Sequence, residues 1–222
     1  MIEKPESYVL EDPRPIAREA PYTFFLPAAE RLAALKPGDR AYLEFIAVPA
    51  RTKWLSERMW VEVTAAEGDR LRGVLYDEPD DIPGLSKGAI IHFERWHALQ
   101  LEFADPSVAA SFGDGEREYW ERCMVDRLVI DGELRVGYVF REAPDTGNEG
   151  GPSSDSGWRI RADTRGCSDE QIEQREVLYV ALGAVLNRDD SWLHLIDAPV
   201  GSAFERDFER DIYAPAAGKR QV

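Results

Sequence analysis

The sequence has few of the side chains that most often carry metal, disulfide or thiol chemistry. Among its 222 residues it has two cysteines, Cys123 and Cys167, which form neither a disulfide-rich scaffold nor a CxxC motif. It has three histidines and no HExxH motif. His92 and His97 would point to opposite faces if they lay on one strand, because side chains alternate along a strand, and His194 stands alone. We therefore predict no metal site and interpret these histidines as structural or surface residues.

Long apolar runs and an excess of basic charge are also missing. No run approaches the roughly 18 apolar residues of a membrane helix, and residues 1–5 do not begin an apolar signal segment. The sequence has 27 Lys and Arg residues and 42 Asp and Glu residues, which gives a formal net charge of -15. Residues 1–105 hold 19 acids and 13 bases, and residues 106–222 hold 23 acids and 14 bases, so both halves are acidic.

These absences predict the compartment of the protein and the classes of partner that it is not expected to bind. We expect a cytoplasmic protein with reduced thiols. An acidic field repels phosphate, so nucleic acid and anionic membranes are disfavoured as partners. The same field would speed the encounter with a basic protein, although it would equally serve solubility alone.

The short motifs of nucleophilic and phosphate chemistry are absent as well. There is no GxSxG elbow, no GxxxxGK[ST] loop, and no GxGxxG after a predicted strand. Ser156 stands between Asp155 and Gly157, but this tripeptide is also ordinary turn chemistry. We predict no cofactor and favour a non-enzymatic protein. The alternatives are a hydrolase-like enzyme, with carboxylates or Ser156 in a cleft between two domains, and a housekeeping interaction module.

What the sequence does contain is short strand signals separated by turn residues. In the first half, residues 27–35 predict a short helix that a Pro-Gly-Asp turn ends. Four strands are predicted after it, at residues 40–48, 59–64, 71–76 and 89–95. The second and third form a hairpin around residues 67–69. This arrangement indicates a small curved sheet or partial barrel.

The second half has a similar mixture of signals. A hairpin is predicted from residues 124–130 and 134–141, with a turn at residues 131 and 132, and residues 116–125 could be helical. A Gly- and Ser-rich loop, residues 143–156, precedes an extended segment at 157–161. Ser168 and Gln171 indicate a capped helix, and the apolar run 177–186 fits a strand or a helix. We predict an α+β protein, mostly antiparallel β, with two small domains at residues 1–110 and 111–222.

One segment stands out as a candidate binding site. Asp-Ser-Gly is turn chemistry, and the Trp-Arg that follows would begin a strand with the two side chains on opposite faces. Trp and Arg are favoured anchors of protein interfaces. In a purely structural interpretation, the tryptophan anchors the loop and Asp155 or Glu142 pairs with an arginine. The candidate binding residues are Arg141, Asp155, Ser156, Gly157, Trp158 and Arg159.

Three stretches carry a resemblance to a known family: residues 137–144 (GYVFREAP), 155–159 (DSGWR) and 198–206 (APVGSAFER). In order and spacing they resemble immunity family thirty-three, bacterial proteins assigned to polymorphic-toxin systems, over roughly residues 120–208. The resemblance implies that the second domain binds and neutralises a toxin, which would be a basic protein if charge guides the encounter. The first half more weakly resembles another bacterial domain family, without an assigned activity, through residues 35–39, 59–63, 73–79 and 85–88.

Overall fold

The chain divides into two compact units. The computed structural model describes residues 7–50, 53, 55–113, 117–145, 154–173 and 175–216. The first unit comprises Met1–Glu19 and Phe24–Glu116, and the second comprises Ala20–Thr23 and Arg117–Val222. The predicted domain boundary near residue 110 falls a few residues before this division. Whether each unit folds independently stays a prediction.

The first unit is a curved antiparallel sheet whose last strand returns to an early one. Its elements are β1 (Tyr8–Leu10), α1 (Arg14–Glu19), α2 (Ala29–Ala33), β2 (Arg40–Ala47), β3 (Ser56–Glu67), β4 (Arg70–Leu75), β5 (Ile90–Glu94), a 3₁₀ turn (Arg95–His97), β6 (Gln100–Glu102) and α3 (Pro106–Ala110). The strand order is β1-β2-β3-β4-β5, and β6 also pairs with β2. The predicted helix, the four predicted strands and the hairpin are therefore confirmed.

Strict alternation builds the core of the first unit. Every second residue of β2, from Ala41 to Ala47, is buried, and the residues between them are only partly so. These side chains pack with the inward residues of β3, β4 and β5 in one apolar cluster. Helix α3 was not predicted. Asp105 caps it by accepting a hydrogen bond from Ser107 N (2.9 Å), and Pro106 occupies its first turn.

The second unit is a six-stranded sheet. Its elements are β7 (Arg122–Asp126), α4 (Arg127–Ile130), β8 (Val136–Arg141), β9 (Asp155–Ala162), α5 (Asp169–Glu173), β10 (Val177–Ala181), α6 (Leu182–Leu186), a 3₁₀ turn (Leu193–Leu195), β11 (Ala203–Asp207) and β12 (Ile212–Pro215). The strand order is β10-β7-β9-β8-β11-β12. Only β7 and β9 are parallel among the described pairs. The α+β class with mostly antiparallel strands is confirmed.

Two local predictions in this unit are wrong. Residues 122–126 form a strand that pairs on both sides, with β10 and β9, and not a helix. The predicted hairpin does not form either, because β7 ends at Asp126 and β9 lies between β7 and β8. The apolar residues that follow form α4, which buries Val129. Asp131 and Gly132 (φ +76°) end that helix, as left-handed glycines commonly do, and do not turn a hairpin.

Two other sequence predictions for this unit concern the capped helix at Ser168 and the apolar run 177–186. Ser168 Oγ accepts from Gln171 N, and Gln171 Oε1 accepts from Ser168 N, so the predicted capping box is present at α5. The apolar run 177–186 is a strand followed by a helix, β10 and α6. Helices α4 and α6 pack with the inward side chains of the sheet around Trp158 and Trp192. Within the described ranges, no helix has the length and apolar character needed to cross a membrane.

Candidate functional site

The six candidate residues come together where β8 ends and β9 begins. Arg141 is the last residue of β8, and the other five are the first five residues of β9. The two strands are antiparallel, and Arg141 lies directly opposite Trp158. Ser154 O accepts from Arg122 N (2.8 Å), which joins the start of β9 to β7. The grouping expected from the sequence is therefore present in the structure.

Arg159 and Asp155 form an ion pair that is almost completely buried. Two guanidinium nitrogens of Arg159 donate to the two carboxylate oxygens of Asp155, at 2.9 and 2.8 Å, and Arg159 Nε donates to Glu142 Oε1. The side chains of Arg159 and Asp155 are 5% and 3% exposed, whereas that of Glu142 is 47% exposed. This is the pairing that the structural interpretation of the segment proposed.

The pair shifts the pKa of both partners. Burial of the Asp155 carboxylate raises its pKa, but hydrogen bonds from the Arg159 guanidinium and from the backbone N–H groups of Asp145 and Gly157 outweigh burial and lower the pKa to about 2. The hydrogen bond to Asp155 raises the pKa of Arg159 in turn. Both groups are therefore charged at neutral pH, and each neutralises the other.

Ser156 and Gly157 shape a bulge in β9. Two residues of β7, Arg122 and Met124, face residues four apart on β9, so the strand bulges between Asp155 and Arg159. Gly157 has φ +79°, and a Cβ atom built on it would lie 2.2 Å from Glu142 O. Only glycine fits there without a shift of the backbone.

The Ser156 hydroxyl is occupied by backbone groups. It donates to Arg122 O (2.7 Å) and accepts from Trp158 N (3.2 Å). No described contact joins it to a histidine or a carboxylate, so a general base for nucleophilic attack is missing from its surroundings. Cys123 is buried, and burial raises the pKa of its thiol to about 12. Neither residue has the setting of an activated nucleophile.

Trp158 lies in the core and not on the surface. Its exposure is 0%, its ring meets that of Trp192 edge to face at 5.5 Å between centroids, and its Nε1 donates to Ile196 O (3.1 Å). The side chain therefore anchors β9 onto the elements beneath the sheet. A role in binding for the whole segment stays a prediction, and Trp158 would contribute to it by holding its neighbours in place.

Arg141 is the candidate whose charge is least compensated. Its Nε donates to Ser156 O (3.0 Å) and its Nη1 donates to Ala198 O (2.8 Å). Among the described residues these partners are carbonyl oxygens and not carboxylates. Its guanidinium lies 5.7 Å from the Trp158 ring centroid. Arg141 thus connects β8, β9 and the chain segment before β11 while keeping a positive charge beside a surface cavity.

That cavity has a volume of about 230 Å³ and is mainly polar. Its lining consists of Arg117, Glu121, Arg141, Pro144, Ser154, Asp155, Ser156, Trp158, Leu182 and Ile196. The Oε2 atom of Glu121 is buried and has no hydrogen-bond partner in the described part of the chain. Sequence reasoning missed Glu121 and Arg117, because both lie within residues 116–125, which the sequence suggested could be helical, and no motif includes them.

Within the described residues, no three or more His, Cys, Asp or Glu side chains come together in a group that could bind a metal ion. His97 Nδ1 accepts a hydrogen bond from Glu94 N (3.0 Å) at the 3₁₀ turn, which is a structural role. The predicted absence of a metal or other cofactor stays a prediction.

Comparison with known proteins identifies one family match. Residues 123–215 match the family model described as the immunity protein Imm33 domain. The match spans the candidate segment and the closing stretch, and it agrees with the resemblance drawn from the sequence. No curated protein and no solved structure matches the chain. The weaker resemblance suggested for the first half stays a prediction.

Proposed function

We propose that this chain is a non-enzymatic cytoplasmic binding protein that neutralises a protein toxin by binding to it. The observation that carries the proposal is the match of residues 123–215 to the immunity protein Imm33 domain. An immunity protein has to hold a defined surface and needs no catalytic group of its own. The proposal therefore requires a rigid second unit with a surface that another protein can recognise.

The geometry of the candidate segment fits this requirement. Its polar groups form hydrogen bonds with one another and with the neighbouring backbone. Arg159 donates to the Asp155 carboxylate, and the Ser156 hydroxyl donates to Arg122 O. Such internal pairing fixes the shape of a surface, whereas a catalytic site usually keeps reactive groups available. We propose that Arg141, Asp155, Ser156, Gly157, Trp158 and Arg159 support the binding surface, and that Trp158 does so from within the core.

Charge favours a basic protein as the toxin. The chain carries a formal net charge of -15. A field of this sign attracts cationic proteins and repels phosphate backbones, so the partner is a protein and neither nucleic acid nor membrane. Toxins that act on nucleic acid are frequently basic for the same electrostatic reason.

Co-expression tests the proposal directly. Candidate toxin domains from the genomic neighbourhood of the gene would each be induced in a bacterial host with and without the chain, and growth would be followed. We expect growth to be rescued by the wild-type chain, and a direct complex to form with a catalytically inactive form of the domain. A chain that is expressed and folded but does not protect the host would contradict the proposal. Protection without a complex would point to another mechanism.

A further inference from the structure

One edge of the second unit's sheet carries a group of exposed apolar side chains. Trp120, Met124, Val177 and Tyr179 are 38%, 40%, 42% and 47% exposed. Met124 and Tyr179 are direct cross-strand partners on β7 and β10, and Trp120 stands two residues before β7. We call these four residues the edge patch. Large apolar side chains gathered at one place are characteristic of interaction sites, whereas single exposed ones are ordinary.

Within the described residues, the outer backbone edge beside the edge patch has no partner strand. Arg127 N donates to Glu176 O, and Leu182 N donates to Glu121 O, both at 2.8 Å. In an antiparallel pair these two bonds fix the alternation, so the even-numbered residues of β10 bond to β7. The N–H and C=O groups of Val177, Tyr179 and Ala181 therefore point away from the sheet. In the described part of the chain β10 pairs with β7 alone.

Strand β10 itself carries none of the sequence devices that usually protect an edge strand against strand addition. Its sequence, VLYVA, contains no charge and no proline, and its register with β7 has no bulge. The opposite edge of the same sheet differs. β12 ends at Pro215, and Asp211, immediately before it, has φ +54°. Edges without such devices are templates on which another strand can pair.

We propose that β10 is a docking edge at which a strand of the neutralised toxin joins this sheet. The inference rests on the proposed function and adds the place and mode of binding. The incoming strand would exchange main-chain hydrogen bonds with Val177, Tyr179 and Ala181. Its alternate side chains would pack beside Tyr179 and Val177, so they should be apolar or aromatic.

Charge favours a toxin strand over a second copy of this chain. Two copies would each bring a formal net charge of -15 to the contact, whereas a basic protein would be attracted.

The test separates the backbone edge from the side chains that surround it. Tyr179→Pro removes one outward N–H and no hydrogen bond to β7, so the sheet can tolerate it. Tyr179→Thr keeps that N–H and removes only the ring. Ile212→Lys is the matched control, because Ile212 is similarly exposed (51%) on the opposite edge. Tyr179→Lys is the second variant if the proline variant does not fold, as judged by its melting transition.

The first measurement is the affinity of the wild-type chain and of each variant for the catalytically inactive toxin domain. We expect Tyr179→Pro and Tyr179→Lys to weaken binding by at least about 30-fold, as the loss of a binding hot spot does. Tyr179→Thr should weaken it less, and Ile212→Lys should stay within about twofold. Hydrogen exchange should slow at the amides of residues 177, 179 and 181 in the complex. If the wild-type chain neutralises the toxin and all four variants neutralise it equally well, the docking edge is overturned. The proposed function would remain intact.

A synthetic strand covers the case in which the toxin does not bind. The probe is the peptide Lys-Val-Thr-Val-Lys-Val-Thr-Val-Lys, added to the full chain at millimolar concentration. Slower exchange at residues 177, 179 and 181 would support the docking edge even if the toxin proposal failed. No protection by either toxin or peptide would overturn it. Dimerisation of the chain that Tyr179→Lys abolishes would make a second copy the occupant and would also overturn the proposal.

Discussion

At the scale of single residues, Trp158 decides between the two interpretations of the candidate segment. Its side chain is 0% exposed and packs on Trp192, so truncation should open a cavity in the core. We expect Trp158→Ala to lower the free energy of unfolding by roughly 3–5 kcal/mol. Trp120→Ala is the control, because Trp120 is 38% exposed and should cost much less stability. Denaturant unfolding of both variants would measure the difference, and equal losses would contradict the core assignment.

Asp155 gives the site a dependence on pH. Its pKa is lowered to about 2 from an ordinary value of 3.8, so the folded state releases this proton more readily than the unfolded state. The stabilisation is fully present above about pH 4 and is lost as pH falls towards 2. We expect Asp155→Asn to be less stable than the wild type at neutral pH, and the gap to narrow between pH 4 and pH 2.

Urea unfolding at a series of pH values would check this prediction. Asp163→Asn is a useful comparison. The hydrogen bond from Arg165 also lowers the pKa of Asp163, but that arginine is largely exposed, so the Asp163 pair should stabilise the fold less. A constant gap between wild type and Asp155→Asn across the whole range would show that the buried pair is not the source of the dependence.

Part of the site could be predicted from the sequence residue by residue. That Asp155 or Glu142 pairs with an arginine could be expected from the charges of the segment, but only the structure shows that the arginine is Arg159 and that it binds both. The contact of Arg141 with Ala198 O could not be predicted, since it joins positions 57 residues apart. Glu121 was missed for the same kind of reason, because nothing local marks a carboxylate that tertiary structure leaves without a partner.

At the scale of elements, the bulge in β9 depends on Gly157. Gly157 and Gly201 both have a positive φ, but a Cβ atom on Gly157 would lie 2.2 Å from Glu142 O, while nothing lies within 4 Å of one on Gly201. Gly201→Ala should therefore cost only the left-handed conformation, about 1–2 kcal/mol. Gly157→Ala should cost clearly more, because the backbone at Glu142, immediately after β8, must also move. Chemical denaturation of the two variants would measure this difference.

Elements with local signals were predicted well, and those that depend on distant pairing were not. The first hairpin has a short turn between alternating strands, which is a local signal, and it is confirmed. The expected hairpin around Asp131 and Gly132 has similar local signals, but β9 inserts between its two arms from further along the chain. Turn residues show where a strand or helix ends, but they do not identify the partner of a strand.

The apolar run 177–186 illustrates the same limit. Its composition fits a strand or a helix, and the structure uses both, with the change at Leu182. There α6 begins, and Gly183 allows the backbone at Tyr22 O to approach so closely that an added Cβ would lie 2.3 Å away. The short segment Ala20–Thr23 belongs to the second unit, and no periodicity in residues 20–23 indicates this.

At the scale of the whole molecule, we expect proteases to cut first within residues 104–120 or within residues 143–156. Pro, Gly and Asp interrupt the first stretch, which spans the boundary between the two predicted domains, and the second stretch is the Gly- and Ser-rich loop. Residues 114–116 and 146–153 lie outside the described residues. Limited proteolysis should leave stable fragments corresponding to the two halves. First cuts within residues 40–76, in the sheet of the first unit, would contradict the two-domain prediction.

If the chain binds a basic toxin as proposed, its acidic charge should make that association sensitive to salt. With a formal net charge of -15, the chain should attract a basic toxin before contact, and salt screens that attraction over roughly 10 Å at 0.1 M. We expect the association rate constant to fall steeply between low and high salt while the dissociation rate constant changes little, because steering acts on the encounter. Stopped-flow mixing with the inactive toxin domain would measure both rate constants.

The Ile212→Lys variant, which adds one positive charge at an edge away from β10, should slow association slightly and leave dissociation unchanged. An association rate independent of salt would rule out charge as the guide and leave the edge patch as the main source of recognition.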